Sequence, residues 1–275
     1  MLRRIVWLLA LGFGLAGQAV WAQETAPAAP APAPLTKEEM ASAVSDEGIS
    51  LPMPGELFAA LGKQGRIDWT AFLRKAPSGT FTSRQQIALN IGALIADGYL
   101  AVEAQDKQQV KNVAKDIRTL AKGIGVEDEL VSRGNSIVQF AETGQWDTLK
   151  EELEATQNDV NAAMIAHKDQ DLVTLVMLGG WLRGTEVVSG YVASHYAEGS
   201  ARVLRQPAVV DHFVQKLAKM PKKVTDNPLI ASVRLVLFDI KKALTYAPDV
   251  TPTAEDVQKL NELAAGVVKT ISTRN

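Results

Sequence analysis

Arg183 and Glu186 stand three residues apart in the stretch LGGWLRGTEVVSGYVASHY, residues 178–196, where nearly every neighbour is apolar or small. On a helix that spacing puts both charges on one face, where they can pair. A guanidinium in apolar surroundings has two uses. It satisfies a carboxylate of its own chain, or it clamps an anionic ligand against a flat wall such as Trp181. Trp181, Arg183 and Glu186 are therefore the candidate ligand-binding residues. His195 and Glu198 repeat the spacing at the end of the run and together could give a metal two ligands, as in helical Glu-x-x-His sites. A metal site needs more donors, and His167 and His212 qualify only if folding brings them near. A third constellation is Lys107, Lys111, Lys115, Arg118 and Lys122, a continuous basic stripe at helical spacing. Such a stripe is either a solvated face paired within the chain or an attachment face for an anionic envelope polymer or lipid headgroup. Lys216, Lys219, Lys222 and Lys223 occupy the matching place later in the chain.

What the chain lacks excludes several reaction classes. It has no cysteine, which removes thiol nucleophiles, thiolate metal sites and disulfides, so the fold rests on its core. No nucleophile elbow, phosphate-binding loop or zinc-protease helix motif occurs. Carboxylates are plentiful, but no pair is singled out. The residues mark no catalytic group and no cofactor. The chain holds 29 basic against 31 acidic residues, a formal net charge of −2; without Arg3 and Arg4 the balance is 27 against 31, or −4. That balance argues against general nucleic-acid binding.

The N-terminus points to export. MLRR is basic, IVWLLALGFGLA is an apolar run of signal-peptide length, and GQAVWA places Val20 and Ala22 at the −3 and −1 positions of a cleavage site. This predicts a signal peptide over 1–22 and a periplasmic or secreted mature chain without a transmembrane helix. QETAPAAPAPAP (23–34) is an Ala/Pro linker that favours extended polyproline II. Residues 35–81 read as a lead-in of short helices, with Thr36 and Glu39 at capping-box spacing.

From Thr82 onward the pattern is helical, with no alternation long enough for a sheet. Val110, Val113, Ile117 and Leu120 share one face. Gly123 and Gly144 read as helix stops, and Pro207 and Pro228 as helix starts. Four helical runs are followed by four more. LNIGALIADGYLA (89–101) lies on VMLGGWLRGTEVV (176–188), NVAKDIRTLAK (112–122) on VVDHFVQKLAK (209–219), and VEDELVSRGNSIVQF (126–140) loosely on VTDNPLIASVRLVLF (224–238). The second set carries about ten extra residues between its first two helices. The predicted fold is all-α: a tandem duplication of a four-helix unit, 82–166 and 167–275, packed as one eight-helix domain. Its most apolar helices, 84–104 and 172–197, should lie face to face.

The glycines of residues 178–196 suit that role. Each interior glycine weakens a helix by about 1 kcal/mol relative to alanine, and close approach of neighbouring helices offsets the loss. Mid-segment Arg183 and Glu186 would each cost roughly 2–3 kcal/mol or more at a bilayer centre. The run therefore reads as a buried packing helix. The functional expectation is a non-catalytic envelope or periplasmic protein that binds a ligand or partner, with the seam around Trp181, Arg183 and Glu186 as its site. A helical metal binder or enzyme using His195 and Glu198, and a structural adaptor using the basic faces, are the alternatives.

Overall fold

The computed structural model describes residues 51–75, 77, 81–245 and 250–273, apart from the side chains of 129–132. The predicted signal peptide, the Ala/Pro linker and the Thr36/Glu39 cap lie outside these residues. Every regular element among the described residues is helical.

The lead-in contributes helix α1 (Pro54–Gly62) and a 3-10 turn (Trp69–Phe72). Pro54 opens α1, where its missing N–H is no loss, and the Glu56 carboxylate accepts the Met53 N–H at 2.8 Å. Helix α2 (Arg84–Glu103) is capped by Ser83, whose hydroxyl accepts the Gln86 N–H. Asp106 caps α3 (Lys107–Lys122) by accepting the Gln109 N–H at 2.9 Å. Helix α4 (Glu127–Thr143) ends at Gly144 with φ 72°, a left-handed stop that favours glycine. Helices α5 (Trp146–Ala166) and α6 (Gln170–Ser194) follow. The remaining elements are α7 (Glu198–Val203), α8 (Pro207–Lys219), α9 (Lys222–Thr225), α10 (Pro228–Leu244) and α11 (Ala254–Ser272).

Eight of these helices are long, but the chain does not stop at eight. Helix α7 occupies the extra residues noted between the first two runs of the second set. Helix α9 is a single turn where Pro221 re-aims the chain toward α10.

In the packing, α2, α3, α4 and α5 each lie against the next, and α5 returns to α2; α6, α8, α10 and α11 do the same, with α11 closing on α6. The two sets meet through α2 and α6, the most extensive helix contact in the fold. There the backbones touch. A Cβ added at Gly92 would overlap the Val176 carbonyl oxygen, and one at Gly179 would overlap that of Leu89. Gly180 and Gly184 admit α1, whose Pro54 and Leu57 lie within 3.2 and 2.9 Å of where their Cβ atoms would be. By length and composition α6 could cross a membrane, yet 83 % of its most apolar window is buried by its neighbours.

The first set is packed at both ends of its bundle. Ala101, Val102, Val110, Ile137, Ala141 and Leu149 form a separate apolar cluster at one end. Ala121, Ile124, Val126, Val160 and Met164 join the main core at the other.

Candidate functional site

Arg183 on α6 faces Asp97 on α2. Its Nε donates to Asp97 Oδ1 at 2.7 Å, one Nη to Glu186 Oε2 at 2.9 Å, and the other Nη to the Phe72 carbonyl at 2.7 Å. Asp97 Oδ2 accepts from Arg74 Nε at 2.9 Å. The four charges alternate and cancel. Asp97 and Arg183 are only 3 % and 4 % exposed. Burial works against the charge on Arg183, but attraction to Asp97 and then Glu186 outweighs it and holds the guanidinium above its ordinary value. All three guanidinium nitrogens donate within the protein. Trp181 is engaged as well: its Nε1 donates to Gln206 Oε1 at 2.9 Å, and its ring packs 5.6 Å from that of Phe213. The hollows beside Trp181 measure about 20 and 10 Å³, room for one water at most. The fold thus joins Arg183 and Glu186 in one network with Asp97 and Arg74, while Trp181 is engaged separately with Gln206 and Phe213. The sequence reading missed Asp97 and Arg74. A lone carboxylate inside LNIGALIADGYLA was the available signal, because a buried charge needs a partner.

His195 and Glu198 do not share a helical face. α6 ends at Ser194, His195 adopts a non-helical φ of −133°, and Glu198 opens α7. The imidazole stacks on Tyr191 at 4.7 Å. No group of three metal-ligating side chains occurs among the described residues, so His167 and His212 do not complete a site there.

The basic stripe on α3 is tied mainly to α4. Lys107 donates to the Glu142 carbonyl and Lys111 to its carboxylate, both at 2.7 Å. The hydrogen bond from Lys111, with its charge, holds Glu142 below the usual glutamate value. Arg118 meets Glu127 at 3.3 Å at the opposite end of the seam. Between these bridges sits Lys115, which is exposed and enters no ion pair among the described residues.

Behind that seam is a cavity of about 400 Å³. Ile95, Ala114, Ile117, Val138 and Leu153 line it and stay half-buried although they point into a bundle. Small residues leave this middle layer unfilled. At Gly98 a Cβ would reach only ordinary contact, 3.5 Å from Val113; at Gly134 it would meet nothing within 4 Å. The exposed lining residues are Lys115, Arg118 and Asn135, so the cavity opens on the α3–α4 side. Lys111, Lys115 and Arg118 belong to its wall, and no carboxylate does among the described residues. On its inner side lies Gln157, 5 % exposed, whose Oε1 has no hydrogen-bond partner among the described residues. Sequence reading gave α3 a basic stripe and an apolar face but no cavity, because helical periodicity reports which way a side chain points and not whether the space it enters is occupied.

Comparison with protein-family models, curated proteins and solved structures finds no match to the chain.

Proposed function

We propose that this protein is a non-catalytic binder of an apolar small molecule in a periplasmic or extracellular compartment, and that the molecule seats inside the bundle α2–α5. The observation that carries this reading is the 400 Å³ cavity walled by half-buried aliphatic side chains. Ligand pockets commonly measure about 300–1,000 Å³ and combine apolar walls with a few placed polar groups. The seam around Trp181, Arg183 and Glu186, where ligand contact was expected, serves instead as the rigid joint against which that bundle is built. Export rests on the basic start, the apolar run and the Ala22 cleavage position.

The two four-helix sets descend, on this reading, from one duplicated unit. Their contact order is the same, and the central joint is reciprocal: Gly92 receives Val176 while Gly179 receives Leu89. The same separation in sequence relates Gly92 to Gly179 and Leu89 to Val176. Such mutual contacts are what a twofold arrangement of like surfaces produces.

The test is displacement of a solvatochromic apolar fluorophore from the exported protein. Wild type should bind it and show a blue-shifted emission. Gly134→Leu, which sends a side chain into open space, should abolish the signal without lowering stability. Equal binding by both proteins would sink the cavity reading. N-terminal sequencing of the exported chain should begin at Gln23.

A further inference from the structure

We infer that the occupant of the α2–α5 cavity is an anionic single-chain amphiphile, its chain among the aliphatic side chains and its head at Lys115. This deepens the apolar-ligand reading and rests on it. Charge selects the head. The chain as a whole is acidic, yet the described residues that line this cavity include three cations and no carboxylate. Two of the cations are committed: Lys111 to Glu142 at 2.7 Å and Arg118 to Glu127 at 3.3 Å. Both bridges cross the α3–α4 seam and close its ends. Lys115 lies between them on α3, and Gly134 and Asn135 lie in the middle of the antiparallel α4. The opening is therefore flanked by one ammonium that enters no ion pair among the described residues, although its charge acts on Asp116, by an amide and by a glycine that takes no space. A neutral apolar ligand would make no use of that ammonium, and a cationic one would be repelled by it.

Gln157 provides an independent indication. Gln157 is buried where it borders both this cavity and the small hollow beside Trp181, and its Oε1 lacks a partner among the described residues. A buried polar atom without a partner is rare and costly. A hydroxyl on the ligand chain, or one ordered water beside it, would satisfy that oxygen. The favoured occupant thus carries an anionic head and tolerates, or prefers, a hydroxyl along its chain. A carboxylate and a phosphate monoester share this head chemistry.

Competition against the bound fluorophore tests the inference, with dodecanoate, dodecyl phosphate, dodecanol and dodecyltrimethylammonium as probes. Dodecanoate or dodecyl phosphate should compete about fivefold or more better than dodecanol, the size expected of one partly solvated charge contact. The cationic amphiphile should compete worst. Whichever anion wins identifies the head. Lys115→Glu should erase the preference while leaving dodecanol unchanged, and Lys115→Arg should keep it. Added salt should narrow the gap between anion and alcohol. A hydroxydodecanoate should gain on dodecanoate in wild type and lose that gain in Gln157→Leu. Equal competition by dodecanoate and dodecanol, unaffected at Lys115, overturns the anionic head while the cavity reading stands. Failure of all four probes, with Gly134→Leu still binding the fluorophore, overturns both.

Discussion

The two four-helix sets share an order of contacts and differ in how completely they fill their middles. In α6, α8, α10 and α11 the inward positions are occupied: Val210, Phe213, Leu217, Val233, Leu237 and Ile240 are all 1 % exposed or less. In α2–α5 the ends are just as well packed, but the middle layer carries Gly98, Ala114 and Gly134 and leaves a cavity of about 400 Å³. Interiors at crystal-like density gain from every contact, and atoms facing a void lose theirs. One set therefore supplies stability and the other supplies room. Their joint, α2 against α6, must then be rigid enough for the hollow set to keep its shape without a filled centre. Backbone contact at Gly92 and Gly179 and the Arg74–Asp97–Arg183–Glu186 chain, buried at its centre, provide that rigidity.

The largest loss is expected at the joint. Arg183→Met leaves buried Asp97 with Arg74 as its remaining cation and should cost about 3–5 kcal/mol in urea unfolding, the range for breaking a buried pair. A loss near zero would mean that the joint does not depend on these charges. Within the sets, the contrast is tested by truncation. Phe213→Ala should cost about 3–5 kcal/mol because its surroundings cannot collapse onto the gap. Ile117→Ala, on the cavity wall, should cost about 1 kcal/mol or less because one side of that side chain already faces open space. Equal losses would show that the first set is as filled in solution as the second.

That contrast was only half legible in the sequence. Periodicity and punctuation located the long helices: Gly144, Pro207 and Pro228 each stand where a helix stops or starts. The glycine-rich run reads as a buried packing helix, and is one up to its last turn at Ser194, since four helix-weakening residues in an apolar segment need close neighbours to offset them. Arg183 and Glu186 do pair, by local spacing. Asp97 and Arg74 were not paired with them, because a contact between residues so distant in the chain depends on how α2 crosses α6. The cavity was hidden for a related reason. Gly98, Ala114 and Gly134 lie on three different helices, and only the packed bundle shows that they share one layer. α7 and α9 are too short to carry a periodic signal.

Two glycines sharpen the comparison further, with opposite signs. Gly179→Ala drives a methyl into the Leu89 backbone, which cannot move as a side-chain tip can, and should cost about 1–3 kcal/mol. Gly134→Ala places the same methyl in open space within α4 and should stabilise by about 0.5–1 kcal/mol through helix propensity alone. Paired thermal melts of the two variants against wild type read both. A destabilised Gly134→Ala would mean that this position is already occupied in solution, and the cavity would be smaller than 400 Å³ implies.

The smallest effect lies at the rim of the hollow set. The hydrogen bond and charge of Lys111 hold the Glu142 carboxyl below the usual glutamate value, with Lys107 adding to the pull. A depressed carboxylate contributes stability above its unfolded pKa and loses it as pH falls through the folded one. Glu142 lies at the surface, and surface pairs of this kind contribute little, so unfolding curves should not register it. An NMR titration of the Glu142 side chain should. Lys111→Met should return its midpoint toward the ordinary glutamate value, and Lys107→Met should move it less. The titration also separates two accounts of the rim. If Lys115 receives an anionic head, Lys111 stays with Glu142, and saturating dodecanoate leaves the midpoint where it was. If dodecanoate raises the midpoint, the head has drawn Lys111 away from α4, and the bridge at that end of the seam opens when the cavity fills.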